Sequence, residues 1–136
     1  MKPSLHYMLD TNICIYAINH RPEAVLKKLI DAGAGVVCLS SITAAELAFG
    51  AVKSTRSDTR AKLETFFATL PALAWGEEIV WHYAHTRLAL ERAGQRIGER
   101  DLLIASHALA KNLVLVTNNT REFERVEGLK TENWAA

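Results

Sequence analysis

Three acidic residues stand at positions where a fold could bring distant side chains together. Asp10 follows the apolar strand-like run 5–9, and Glu46 follows the run 36–39. Asp101 begins the helical segment that leads to another apolar run. Such runs are typical of buried strands in a parallel sheet, whose carboxyl ends lie along one edge. We therefore expect Asp10, Glu46 and Asp101 to converge there.

Converging carboxylates repel one another and raise one another's pKa values, and a divalent cation removes that penalty. Carboxylate and water oxygens are the hard ligands that Mg²⁺ and Mn²⁺ prefer. A metal ion held in this way activates water and neutralises phosphate, so it suits phosphodiester hydrolysis. The acids thus predict a metal-dependent hydrolase.

Helix capping accounts for the same residues without any catalysis. Asp10 precedes a helix, where Asp is a common N-cap, and Thr43 with Glu46 fits a capping box. Two other functions also stay open at this point. A strand that ends in Asp10 is similar to the start of haloacid-dehalogenase-like phosphatases, in which that residue is the nucleophile. Alternatively, the chain is a non-catalytic binding module.

Composition sets broad limits on the function. The chain has 136 residues, of which 49% are hydrophobic, so we expect a single domain spanning residues 1–136 with a substantial core. The net charge of +1 excludes a bulk electrostatic attraction to nucleic acid. Cys14 and Cys38 lie in apolar segments, which favours reduced thiols and a cytoplasmic protein. We find no signal peptide and no membrane-spanning run.

Strands alternate with helices along the chain, which predicts an α/β fold. We expect a three-layer arrangement in which helices cover both faces of a mostly parallel central sheet. The predicted strands are residues 5–9, 36–39, 72–75, 113–116 and 129–131. The predicted helices are residues 13–18, 22–32, 44–52, 58–70, 77–93, 101–111 and 120–126.

Four segments together resemble the successive motifs of PIN-domain ribonucleases. They are Met8–Asn12, Ser41–Gly50, Arg100–Ala105 and Val116–Phe123. The chain is most similar to the VapC toxin group of VapBC toxin–antitoxin modules, and the resemblance covers essentially its whole length. It implies the PIN fold and an endoribonuclease that uses Mg²⁺, with Mn²⁺ as a substitute.

The resemblance also assigns roles to individual residues. Asp10, Glu46 and Asp101 match the family's three principal acids, which hold the metal. Many members have a fourth acid in the last motif, where this chain has Asn119, with Glu122 three residues later. Glu122 either reaches the metal or is an ordinary exposed helix residue, and Asn119 could hold water or substrate. Thr117 matches a hydroxyl that positions a ligand or the attacking water.

The family further implies partners. A VapB antitoxin would wrap the toxin and block its active site, giving a toxin–antitoxin hetero-oligomer. The implied substrate is tRNA, with initiator tRNA cut in the anticodon loop. The apolar helices after residue 43 also leave room for a homodimer face.

Arginines near the third acid indicate how RNA could be held. Arg92, Arg96 and Arg100 recur every four residues, and Arg121 lies in the last motif. They could bind phosphates without reading sequence. The alternative is a solvated helix face on which these arginines pair with neighbouring glutamates.

Overall fold

The computed structural model describes residues 4–136 and has a five-stranded sheet in the order β3-β2-β1-β4-β5. Every neighbouring pair of strands is parallel, so the predicted α/β class with a parallel central sheet is confirmed. The strands are β1 (Tyr7–Leu9), β2 (Val37–Ser40), β3 (Ala72–Leu73), β4 (Val114–Val116) and β5 (Thr131–Glu132). The α-helices are α1 (Thr11–Asn19), α2 (Glu23–Ala32), α3 (Ser41–Lys53), α4 (Thr59–Thr69), α5 (Val80–Arg92), α6 (Glu99–Ala110) and α7 (Thr120–Phe123).

The sheet separates two hydrophobic cores because successive strand residues point to opposite faces. Leu9 packs with residues of α1 to α4, whereas Met8 packs with residues of α5 and α6. Both faces of the sheet are therefore covered, which explains why its strands are continuous apolar runs. The central strand β1 pairs with β2 on one side and β4 on the other.

Three helices begin earlier than the sequence predicts. α1 begins at Thr11 and is capped by Asp10, and α6 begins at Glu99 rather than at Asp101. α3 begins at Ser41, because the Ser40 side chain already accepts a hydrogen bond from the backbone N–H of Ile42. Thr43 is consequently buried inside α3. The predicted capping box between Thr43 and Glu46 is therefore wrong.

The edge elements also differ from prediction. β3 has two residues instead of four, because after Leu73 the chain leaves the sheet and the backbone N–H of Trp75 donates to the Ser41 hydroxyl. β5 lies at residues 131–132 instead of 129–131, and α7 ends at Phe123 instead of residue 126. Edge strands have a partner on one side only, so apolar patterning defines their ends poorly.

Both cysteines are free and buried, as expected of core residues. Burial raises the pKa of Cys38 to about 12, so its thiol stays protonated and unreactive at neutral pH. Within residues 4–136, every helix is too short or too polar to cross a bilayer.

We expect Leu115→Ala to lower the free energy of unfolding by about 2–5 kcal/mol, because it leaves a cavity in the core. Leu115 is fully buried on β4, whereas Ile30 on α2 is 69% exposed. Ile30→Ala is the control for an exposed aliphatic side chain, and we expect it to cost less than about 1 kcal/mol. Urea denaturation of both variants measures the difference; equal losses would contradict the described core.

Candidate active site

Asp10 lies directly after the central strand, at the edge of the sheet, and caps α1. Its backbone N–H donates to the carbonyl of Val116 (3.0 Å), and its carboxylate accepts from the N–H of Ile13 (2.9 Å). Burial raises the pKa of Asp10, and the charge of Glu46 adds to the rise. Hydrogen bonds from the Thr117 hydroxyl and from Ile13 oppose it. The capping role and a role at the sheet edge are therefore compatible.

Glu46 points from α3 toward the start of α1. Its Oε1 accepts a hydrogen bond from the Thr11 hydroxyl at 2.9 Å, and its Oε2 lies 3.4 Å from the guanidinium of Arg100. Its side chain is 23% exposed, so one side remains open to the cleft. The partners of this glutamate come from two other helices, whereas a capping box would have kept it within its own.

Asp101 lies in the first turn of α6, and its pKa is raised to about 7. Burial is the largest cause, followed by a hydrogen bond to the Glu122 carboxylate and the charge of Glu122. The charges of Asp10 and Glu46 raise it further. Four carboxyl groups from four separate segments are therefore within electrostatic reach of one another.

Glu122 is held firmly beside Asp101. Its Oε1 accepts from the backbone N–H of Gly98 at 3.1 Å, and its Oε2 accepts from the side-chain amide of Asn119 at 2.7 Å. Burial alone would raise the pKa of Glu122, but these two hydrogen bonds and the one with Asp101 lower it. Glu122 thus stays ionised while Asp101 holds the shared proton. It faces the site rather than open solvent.

The last motif places its two other polar residues differently. Thr117 follows β4 and is fully buried, with its hydroxyl accepting from the backbone N–H of Asn119 (2.9 Å) and lying beside Asp10. Asn119 is exposed and directs its amide to Glu122. Thr117 therefore contacts an acid of the central strand, and Asn119 orients the fourth acid.

The four arginines named from the sequence separate in the structure. Arg100 reaches Glu46, whereas Arg96 pairs with Glu91 at 3.2 Å. Arg92 and Arg121 are exposed on α5 and α7. The alternative of a solvated face paired with glutamates therefore describes Arg96, and Arg100 alone of the four is bonded to one of the acids.

The donor set fits a hard divalent cation such as Mg²⁺ or Mn²⁺ better than a metal ion that prefers thiolate or imidazole ligands. Among residues 4–136, no three His, Cys, Asp or Glu side chains already surround a point that could hold a metal ion. The acids are linked by charge, and each is engaged by a hydrogen-bond donor or another carboxyl. Mg²⁺ usually keeps several waters and binds one or two carboxylates directly, so it does not require a closed protein cage.

Two partners of the acids were missed at the sequence level. Thr11 bonds Glu46 across 35 positions of sequence, and the backbone N–H of Gly98 bonds Glu122. The position of Thr11 directly after Asp10 was the only available signal, because its partner depends on how α1 packs against α3. The bond from Gly98 could not be predicted, because its donor is a backbone N–H, a group that every residue except proline has.

Comparison with known proteins decides the family. The family model "PIN domain" matches residues 7–129. This chain is a PIN-domain protein. It is 46% identical to "Ribonuclease VapC2" of Haemophilus influenzae, over 96% of this chain and 98% of that one. It is 42% identical to "tRNA(fMet)-specific endonuclease VapC" of Shigella flexneri, over 96% and 99%. Within the family, the chain therefore belongs to the VapC ribonucleases.

Solved structures agree with this assignment. VapBC from Salmonella typhimurium, crystallised bound to DNA, matches 96% of the chain at 40% identity with a TM-score of 0.89. VapBC2 from Rickettsia felis, bound to a promoter DNA fragment, matches 96% at 41% identity with a TM-score of 0.88.

The family assignment confirms the predicted enzyme class, a nuclease that hydrolyses RNA. PIN-domain nucleases generally depend on a divalent metal ion. The two alternatives, a haloacid-dehalogenase-like phosphatase and a non-catalytic binding module, are not supported by these relatives and are set aside.

The raised pKa of Asp101 predicts a pH-dependent difference between the wild type and Asp101→Asn. An acid whose folded-state pKa is about 7 instead of 3.8 binds more protons when folded, so it costs stability as pH rises through this window. We expect Asp101→Asn to gain thermal stability relative to the wild type progressively between pH 4 and 7 in EDTA.

The comparison must be made against the wild type, because burial lowers the pKa of His107 to about 4 from 6.5. That shift makes stability rise with pH in nearly the same window. Since both proteins contain His107, its effect cancels in the difference. A difference in thermal midpoint that stays constant from pH 4 to 7 would show that the pKa of Asp101 is not raised.

Proposed function

We propose that the chain is a Mg²⁺-dependent endoribonuclease toxin, with Mn²⁺ able to substitute, in which Asp10, Glu46 and Asp101 hold the ion. The observation that carries the proposal is the crowding of carboxyl groups at one sheet edge, where burial and neighbouring charges raise the pKa of Asp101 to about 7. A divalent cation would relieve that repulsion and return these groups to the carboxylate form.

Each residue of the site has a distinct task in this proposal. The metal ion, when bound, supplies the activation of water and the neutralisation of phosphate charge. Thr117 orients the Asp10 carboxylate through its hydroxyl. Asn119 and the Gly98 N–H hold Glu122 next to Asp101, where Glu122 can accept a proton or a hydrogen bond from water. Thr11 keeps Glu46 turned toward the cleft.

The proposed substrate is tRNA, and initiator tRNA cut in the anticodon loop in particular. A relative at 42% identity and another at 40% bear the name "tRNA(fMet)-specific endonuclease". Arg92, Arg96, Arg100 and Arg121 would contact phosphates along the strand on either side of the cut. A cytoplasmic location is consistent with this substrate and with two free, buried cysteines.

The proposed partner is a VapB-type antitoxin, because structural neighbours with TM-scores of 0.86 to 0.89 are VapBC complexes. An apolar groove between α1, α3 and α4 begins at Glu46 and could receive an antitoxin segment. Its lining includes Thr11, Ile15, Ile18, Leu47 and Leu63. A basic side chain at the end of such a segment would reach the acids.

A homodimer is also part of the proposal. Trp81 and Leu88 lie seven residues apart, so they share one face of α5, and both are exposed, Trp81 at 73%. Exposed aromatic and aliphatic residues on one helix face are typical of an interface between protein chains.

We expect Asp10→Asn and Asp101→Asn each to reduce RNA cleavage by about a hundredfold or more and to weaken Mn²⁺ binding. Asn still caps a helix, so Asp10→Asn removes the charge and keeps the hydrogen bond to Ile13. Glu99→Gln is the matched control, because Glu99 is exposed in the same helical turn as Asp101. Calorimetric titration with Mn²⁺ and gel assays of cleavage measure both quantities.

The same assay tests the substrate when initiator tRNA is compared with elongator methionine tRNA and the new ends are mapped. Cleavage confined to the initiator anticodon loop supports the proposal. Equal cutting of both tRNAs would contradict the proposed preference for initiator tRNA and would leave the proposal of the metal site unaffected. Undiminished cleavage by both Asn variants would overturn the metal site.

We expect Ile15→Glu to weaken antitoxin binding by at least about tenfold while RNA cleavage by the free protein is retained, because a charge in an apolar groove is left unpaired. Ile15 lines the groove, whereas Ile30 is exposed on α2 away from it, so Ile30→Glu is the control. Binding is measured by titration with a VapB-type antitoxin. If Ile30→Glu loses antitoxin binding while Ile15→Glu keeps it, the antitoxin binds outside this groove.

A further inference from the structure

A buried hydrogen bond joins the helix that carries Glu46 to the helix that carries Asp101. His107 on α6 is fully buried, and its Nδ1 lies 2.8 Å from the hydroxyl of Ser40. Ser40 is the last residue of β2 and the N-cap of α3. The two residues are 67 positions apart in the sequence. This contact therefore ties the N-terminus of α3 directly to the last turn of α6.

Ser40 can make this bond without giving up its capping role. Its oxygen accepts from the backbone N–H of Ile42 at 3.1 Å, and its proton and remaining lone pair stay available to Nδ1 of His107. Which of the two atoms donates depends on the imidazole tautomer, and Nε2 of His107 is buried without a hydrogen-bond partner among residues 4–136. Because Ser40 is also fully buried, water does not compete for the bond.

A second bridge runs in parallel through Trp75. Its backbone N–H donates to the Ser41 hydroxyl at 3.0 Å, and its indole N–H donates to the carbonyl of Leu103 at 2.9 Å. Leu103 and His107 are four residues apart, so the two bridges meet α6 on one face, one turn apart. Ser40 and Ser41 are likewise neighbours at the start of α3.

We propose that these two bridges form a brace that sets the distance between Glu46 and Asp101 and thereby the affinity for the divalent ion. His107 and Trp75 are positioning residues in this proposal, which rests on the metal site proposed above. Leu103 is two residues beyond Asp101, and Ser41 lies about one and a half helical turns before Glu46. A shift of either helix along the other would therefore move one acid relative to the other.

Two features separate a brace from ordinary packing. The hydrogen bonds link the N-terminus of α3 to α6, one directly through Ser40 and the other through Trp75, which follows β3. Apolar packing is tolerant of small sliding motions, but a short hydrogen bond between buried partners is directional. Loss of the brace should therefore change metal affinity more than it changes global stability.

The experiment measures Mn²⁺ dissociation constants by calorimetry and thermal midpoints on the same preparations. We expect His107→Leu and Trp75→Phe each to weaken Mn²⁺ binding about tenfold, as is typical when the support of metal ligands is removed. Trp75→Phe removes only the indole donor and keeps an aromatic ring beside Tyr83. The rings of Trp75 and Tyr83 pack edge to face, with their centroids 6.1 Å apart. This variant keeps the test available if His107→Leu fails to fold.

His107→Asn is the rescue variant, because its side-chain amide can replace Nδ1 in either role, accepting from the Ser40 hydroxyl through its oxygen or donating to it through its NH₂. We expect its Mn²⁺ affinity to stay within about threefold of the wild type, because the hydrogen bond to Ser40 is kept and the tenfold loss expected for His107→Leu is largely avoided. His85→Leu is the control for a histidine on an exposed helix face. Folded His107→Leu and Trp75→Phe variants that bind Mn²⁺ like the wild type would overturn the brace and leave the metal site standing. Failure of the wild type to bind Mn²⁺ would overturn both proposals.

Discussion

Electrostatic repulsion among carboxyl groups at one edge of a parallel sheet is the constraint that organises this molecule. Asp10 arrives at that edge because β1 is central, with β2 and β4 on either side in parallel register. Asp101 and Glu122 meet there as a proton-sharing pair. Buried like charges are expensive, so the fold must supply donors around them or bind a cation.

The hydrogen-bond donors that stabilise these acids include backbone N–H groups at helix N-termini. Asp10 caps α1 through Ile13, and Gly98 is the N-cap of α6 while its N–H binds Glu122. The N-termini of α1 and α6 therefore lie beside the acids, where their N–H groups and positive dipole ends favour negative charge. Capping and chemistry are two uses of one arrangement here.

Prediction from the sequence succeeded where local patterns carry the information. Apolar runs identified the strands, and the positions of Asp10, Glu46 and Asp101 relative to them identified the edge at which they meet. It failed for Thr43, because a Thr and a Glu three residues apart fit a capping box, while the actual cap, Ser40, lay in the predicted connection between strand and helix. The pairing of Arg96 with Glu91 was one of two alternatives that the sequence left open, because a local pattern does not decide which surface side chains pair.

By itself, the sequence determined the fold class, the order of strands and helices, and the family, because hydrophobic periodicity and motif residues are properties of adjacent positions. Only the tertiary structure decided that Glu46 bonds Thr11 and Arg100, that Glu122 is clamped beside Asp101, and that His107 reaches Ser40. Those contacts join residues 24 to 67 positions apart. Their geometry follows from how helices pack across the sheet, which no local pattern encodes.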